Sequence, residues 1–169
     1  MGYTHYWYRP KTLDQSRFIA LTEDVRRLME HLPARSLSAG GYHRNDPLII
    51  RGGHGTGEPT FTSDLISFNG DAVGGMYHET FYFEREFEPE SWQTPDENGR
   101  YFSFCKTARK PYDLLVTAVL IRVKHHFPEI IVYSDGESRD WIEGLILVAE
   151  VFGSEAAAVA ITYRYCVDK

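Results

Sequence analysis

Phe104 to Gly136 reads FCKTARKPYDLLVTAVLIRVKHHFPEIIVYSDG, a short basic run, then an apolar run longer than a strand, then a β-branched run closing on Ser134, Asp135 and Gly136. Pro111 suits the first helical position, where its missing N–H has no partner to lose, and Asp113 sets a carboxylate against the positive helix end. A helix is therefore expected to start at Pro111. Leu114, Leu115, Val116, Ala118, Val119, Leu120, Ile121 and Val123 leave it no wide polar face, so neighbours must cover most of its sides. Arg122, Lys124, His125 and His126 complement the carbonyl end, and Pro128 stops the run. This is the expected central, buried helix.

The chain around it has 169 residues, one domain's worth, enough to bury roughly 70% of its unfolded surface in a single core. Its 43% apolar and 25% charged residues describe an ordinary globule, and 11 Tyr with 10 Phe lean toward sheet. A net charge of −6 argues against duplex nucleic acid as a partner, which normally needs a basic face. The two cysteines, Cys105 and Cys166, form neither a zinc pattern nor a disulfide framework. No secretory signal pattern opens the sequence, and the longest apolar run falls far short of the ~20 residues of a membrane span. A soluble, cytoplasmic protein without a membrane partner is the expectation.

Elsewhere the periodicities alternate between two kinds. Tyr3 to Arg9 sets Tyr3, His5, Trp7 and Arg9 against Thr4, Tyr6 and Tyr8, a strand ended by Pro10. Thr12 or Asp14 caps a helix with the stripe Phe18, Leu21, Val25, Leu28 and Leu32. Leu48 to Ile50 reads as a brief strand, followed by a glycine-rich loop from Arg51 to Gly57. That loop either curls its amides around an anion or simply crosses the surface. Phe61 to Phe68 and Tyr77 to Phe83 read as strands of a hairpin with a widened loop after Asn69-Gly70. Phe87 to Arg100 is an exposed connection, and Tyr101, Phe102 and Phe104 form a short strand. Glu129 to Tyr133 is a strand, and Ser134 or Ser138 caps a helix ending at Gly153. Val159 to Val167 alternates as a terminal strand. The sum is a single α+β domain over residues 1–169, a mostly antiparallel sheet of about five to seven strands packed by three helices.

Three polar clusters are candidates for chemistry. Lys106, Thr107, Arg109 and Lys110 lead into a helix start, a combination of cations, free amides and dipole that suits an anion, unless the cations pair with neighbouring acids. Asn69, Asp71, His78 and Glu79 meet if the hairpin forms, with His78 as general base or metal ligand, or as one end of a cross-strand hydrogen bond. Asp135 at a strand end is either a site residue or part of a turn. His5 enters an aromatic-lined pocket or is hydrogen-bonded inside the sheet. Cys105 is a reactive thiol beside cations or a small buried apolar residue.

Met1-Gly2-Tyr3-Thr4-His5-Tyr6-Trp7, Phe68-Asn69-Gly70-Asp71, His78-Glu79-Thr80-Phe81, Ser134-Asp135-Gly136 and above all Cys105-Lys106-Thr107-Ala108-Arg109-Lys110-Pro111-Tyr112-Asp113 resemble an uncharacterised family of small proteins of tailed bacteriophages and prophages. The resemblance covers nearly the whole chain. It implies an accessory role in the host cytoplasm and carries no reaction, cofactor or catalytic residue with it. The Asp71 to Tyr77 connection looks longer and less polar than that family leads one to expect.

Taken together, the clusters lead to a small phosphorylated or nucleotide-like ligand, either bound or bound and turned over. Lys106, Thr107, Arg109 and Lys110 would hold the phosphate, with Tyr6, Tyr112, His5 and Asn69 around the rest. His78 with Asp135 is the one acid–base pair. The alternatives are a module that inhibits or adapts a host protein through an aromatic surface, and a single-strand nucleic-acid factor. A homo-oligomer is compatible with all three, no metal is expected, and a cofactor is left open.

Overall fold

A computed structural model describes residues 2–37, 43–159 and 161–163. Seven strands and three helices follow in chain order: β1 (Thr4–Pro10), α1 (Gln15–Glu30), β2 (Thr60–Phe61), β3 (Leu65–Phe68), β4 (Phe81–Glu84), β5 (Arg100–Lys106), α2 (Asp113–His126), β6 (Ile131–Ser134), α3 (Ile142–Phe152) and β7 (Thr162–Tyr163). The strands divide into a four-stranded sheet, β5-β1-β6-β7, and a three-stranded sheet, β2-β3-β4. All neighbours are antiparallel except β6 and β7. This is an α+β domain, with β1 inside the larger sheet.

The helices form for the reasons their sequences give. Asp14 caps α1, accepting from the Arg17 N–H at 2.9 Å, and Phe18, Leu21, Val25 and Leu28 are all fully buried. Every residue of α2 from Leu114 to Val123 is buried, as a helix without a polar face requires. It begins two residues later than expected. Pro111 and Tyr112 belong to the tight turn before it, in which the Asp113 N–H reaches the Lys110 carbonyl at 2.9 Å. A single 3-10 turn, Ser138–Trp141, capped reciprocally by Glu137 and Asp140, runs into α3, and Gly153 ends α3 at φ 96°. Gly144 lets α3 approach α2 closely. A Cβ there would sit 2.3 Å from the Thr117 hydroxyl.

The strand boundaries depart from the sequence reading where side chains intercept the backbone. Phe61 to Phe68 is two strands, because the Thr62 hydroxyl accepts from the Asp64 and Leu65 N–H groups and folds Thr62-Ser63-Asp64 into a turn. Only Phe81–Glu84 of the following run pairs as a strand. Residues 77–80 are held by the fully buried Asn69 instead: its carbonyl accepts from Gly70 and His78, and its amide donates to the His78 carbonyl and the Thr80 hydroxyl. Leu48 to Ile50 is no strand. Among the described residues the backbone around it forms only isolated bridges, Arg35 to Pro47 and Arg51 to Asn69, while Leu48 is buried in the core. The terminal strand is seen at Thr162–Tyr163, and its expected continuation to Val167 lies outside the described residues.

The two sheets meet through aromatic and charged side chains of β1. Trp7 on β1 lies 5.5 Å from Phe81 and 6.1 Å from Phe83, and Phe83 stacks on Phe18 of α1. Beside them Arg9 is fully buried. Its guanidinium donates to the Glu84 and Arg85 carbonyls of the smaller sheet and to the Glu84 carboxylate at 3.3 Å, with Phe83 and Phe87 over its faces. Burial lowers its pKa to about 10, so it remains charged at neutral pH.

Candidate functional site

Strand alternation gives the larger sheet two unlike faces. His5, Trp7, Arg9, Cys105, Val132 and Ser134 point inward and are buried. The other face is ordered by register. Tyr6 lies opposite both Phe104 and Tyr133, and Tyr8 opposite both Phe102 and Ile131. Thr4 lies opposite Lys106 on one side and accepts the Asp135 N–H on the other. The result is a grid of five aromatic rings across three strands, with Lys106 and Arg100 at the two ends of β5. Tyr6 stacks on Phe102 at 5.9 Å and 23°, Tyr8 meets Phe102 at 5.4 Å, and Tyr8 meets Tyr133 edge-on at 6.0 Å. Phe102 remains 39% exposed and Phe104 54%, because among the described residues the helices pack against the opposite face.

On this grid lies a concavity of ≈ 610 Å³ lined by Tyr6, Tyr8, Phe102 and Tyr133 together with Ile131, Asp96, Arg100, Ser134 and Asp135. Small-molecule sites span roughly 300–1,000 Å³ with mostly apolar walls and a few polar groups, which is the composition found here. Its one cation, Arg100, donates to Asp96 at 3.1 Å. The Arg100 N–H, with the Asn98 N–H and the guanidinium, holds the Asp96 carboxyl below the usual carboxylate range. Asp135 accepts from the Tyr6 hydroxyl at 3.1 Å to each oxygen. The polar lining is therefore acidic on balance.

The start of α2 is occupied by groups of the chain itself. Asp113 Oδ1 accepts from the Thr107 hydroxyl at 2.6 Å and lies 2.7 Å from His5 Nε2. A tight turn in which Ala108 and Arg109 both have positive φ carries Arg109 back over the Tyr3 ring, 4.0 Å away, and onto Asp140 at 2.6 Å. Burial acts to raise the Asp140 pKa, but Arg109 and the Glu137 N–H outweigh it and hold the carboxyl below its usual range. Lys110 is half-buried, its N–H on the Thr107 carbonyl, and Tyr112 is buried with its hydroxyl on the Glu79 carbonyl at 2.6 Å. Lys106 alone of the basic run belongs to the outer sheet face.

The remaining candidates separate. Exposed His78 places Nδ1 2.8 Å from the Lys106 carbonyl, beyond β5, whereas Asp135 lies on the far flank of β1, so two strand spacings of ~5 Å part them. Asn69 spends its amide on the hairpin loop, and Asp71 pairs with Arg51 at 3.4 Å. Burial, reinforced by Glu79 and Asp113, pushes the Cys105 thiol well up, which removes the reactive thiolate.

His5 sits in a hydrogen-bonded chain. His5 Nε2 lies 2.7 Å from Asp113 Oδ1 and Nδ1 lies 3.0 Å from Ser134 Oγ, and Ser134 in turn accepts the Gly136 N–H at 3.0 Å. The order serine–histidine–aspartate is that of an activated nucleophile. Its place is not: the Ser134 residue is 2% exposed and His5 fully buried, with no room for a substrate beside them. The chain ties β1, β6 and α2 together.

Among the described residues no group of three His, Cys, Asp or Glu side chains is placed to hold a metal ion, and no helix is long and apolar enough to cross a membrane. Sequence reasoning named Tyr6 and Asp135 but missed Tyr8, Phe102, Tyr133 and Arg100. The alternation Arg100-x-Phe102-x-Phe104-x-Lys106 was the available signal, cations and aromatics sharing one face of one strand. Set against known proteins, the chain matches no family model, no curated protein and no solved structure.

Proposed function

We propose that this protein binds a small nucleotide-like ligand, with the planar ring on the open aromatic face of the larger sheet and not at the start of α2. The observation that carries this reading is the grid of Tyr6, Tyr8, Phe102 and Tyr133 that lines a ligand-sized concavity, with Phe102 and Phe104 exposed among the described residues. Aromatic faces on a sheet stack bases at about 1–3 kcal/mol per base, whatever the base. A phosphate extending from the ring would be met by Lys106 or by the Asp96-paired Arg100, at either end of β5. An accessory role in a phage-infected host follows from the resemblance in sequence, and binding without turnover is the activity assigned, since His78 and Asp135 lie apart.

The test is saturation-transfer NMR with a panel of nucleosides and nucleotides, on the wild type and on Phe102→Ala, whose ring is exposed and dispensable to the core. Binding by at least one of them, weakened about ten-fold by Phe102→Ala, is expected. Absence of binding across the panel, or binding that ignores Phe102, overturns the reading. Trp92, 75% exposed, and Phe104 favour a second reading, a face for a host protein. In that case one stoichiometric partner is captured from host lysate and lost with Phe104→Asp.

A further inference from the structure

The outer edge of the larger sheet is open where its exposed aromatics stand. We infer that β5 receives an extended segment of another protein as an added strand, paired through the backbone of Phe102 and Phe104. The segment carries apolar side chains at two alternate positions and a carboxylate at the next alternate position, toward Lys106. Such a partner lies along the rim of the sheet, whether or not a ring stacks on its face.

The hydrogen-bond phase of β5 shows which groups are available. Among the described residues β5 is the outermost strand and has β1 as its one strand partner. The Thr107 N–H on the Tyr3 carbonyl at 3.1 Å sets the alternation of that antiparallel ladder. Tyr101, Ser103 and Cys105 turn their backbone groups toward β1, and Arg100, Phe102, Phe104 and Lys106 turn theirs outward. Contacts on the outer side agree with this phase. The Lys106 N–H donates to the Glu79 carboxylate at 2.7 Å, and its carbonyl accepts the Glu79 N–H at 3.2 Å. At the other end Asp96 takes the Arg100 N–H at 2.9 Å and donates its own N–H to the Arg100 carbonyl at 2.8 Å. Both ends are closed. Between them the Phe102 carbonyl has only the Gln93 side-chain amide, at 3.4 Å, longer than a usual bond. Among the described residues the Phe102 N–H and both backbone groups of Phe104 have no partner.

These groups specify the form of the occupant. Donors and acceptors two residues apart along a strand are satisfied together by another extended backbone, the pairing by which peptides add to sheet edges. Natural edges are commonly covered or charged, and here the cover stops at the two residues whose rings are exposed, 5.8 Å from each other on one face.

Side chains specify its composition. Alternate residues of an added strand lie beside Phe102 and Phe104 and gain most when apolar. Lys106 continues the same row and makes no ion pair among the described residues, so a carboxylate is its complement. A second copy of this chain fits less well. Pairing β5 with itself so that Phe102 meets Phe104 sets Arg100 opposite Lys106 at both ends, like charges across a strand pair.

The test starts from a displayed library of random decapeptides selected against the whole chain. The enriched sequences should carry apolar residues at two alternate positions and an acid at the next, and they are then made as synthetic peptides. Binding should slow hydrogen exchange of the Phe102 and Phe104 amides by about ten-fold or more and leave those of Tyr101 and Ser103, already bonded to β1, unchanged. N-methylation of the peptide at the pairing amides should weaken binding by about ten-fold or more, and at the intervening amides should not. Phe104→Pro deletes one outward N–H at an edge position that tolerates proline and should abolish binding, whereas Lys106→Gln should remove only the preference for the acid. If Phe104→Pro does not fold, the N-methyl comparison on the wild type decides alone. No enrichment, enriched peptides without this pattern, or binding indifferent to N-methylation overturns the strand-addition site.

Discussion

Replacing Arg9 by Met tests how the two sheets are joined. The side chain is fully buried and donates to four backbone carbonyls, Glu84 and Arg85 in the smaller sheet and Pro10 and Lys11 in its own segment, as well as to the Glu84 carboxylate. Methionine fills much of the slot between Phe83 and Phe87 but donates nothing. The Glu84 carbonyl and carboxylate are then left short of partners, at about 1–3 kcal/mol per group, whereas the Arg85 carbonyl keeps the Leu13 N–H at 3.0 Å. Relief from burying the guanidinium offsets part of this, leaving a net loss of about 2–4 kcal/mol. Against a total stability of about 5–15 kcal/mol that is a large fraction. Urea unfolding followed by circular dichroism measures it, with Glu84→Gln and the double variant completing a cycle. The coupling between the two sites should be about 1–2 kcal/mol. A loss below about 1 kcal/mol for Arg9→Met, or no coupling, refutes the claim that this guanidinium pins the sheets.

Two further outcomes follow from polar groups. Asn69→Ala removes four hydrogen bonds that close the β3–β4 loop and should cost about 2–4 kcal/mol, with proteolysis moving to residues 70–80, and an unchanged urea midpoint would show that the loop closes without it. Asp24 accepts from His126 and Arg122, which outweigh its burial and lower its pKa. The unfolded carboxyl takes up a proton first, near pH 3.9, so this stabilisation is complete above about pH 5 and is lost as pH falls through the lower folded value. Asp24→Asn should be less stable at pH 7 and lose less between pH 5 and 3 than the wild type in urea titrations. Parallel pH profiles would contradict the assignment.

Most of the fold was legible because it rests on periodicity. The unbroken apolar run of α2, the stripe of α1 and the alternation of β1 each appear as read, with Tyr3, His5, Trp7 and Arg9 all buried on one face. What escaped was set by single side chains acting at a distance, Thr62 splitting a strand and Asn69 replacing strand pairing with its own amide. The site was harder to read for a related reason. Lys106, Arg109 and Lys110 are neighbours in sequence, so they look like one anion site, yet strand geometry sends Lys106 to the outer sheet face while the next turn carries Arg109 onto Asp140. Aromatic residues at alternate positions of β1, β5 and β6 announce a grid only once the registers are known. Alternation shows which residues share a face, and the placement of the helices shows which face stays open.

The position of β1 bears on how the chain reaches this state. His5 and Ser134, which share a hydrogen bond, are 129 positions apart, and β5 on the other flank of β1 also comes late. During synthesis the aromatic-rich β1 leaves the ribosome well before the strands it pairs with, and it waits about ninety residues for β5 and then longer for β6. An aromatic strand with two bare edges is a segment that chaperones hold and that aggregates when they do not. The ring-lined surface therefore exists only after β6 has emerged, and a product truncated before Ile131 would expose the rings of β1 and β5 without completing the surface.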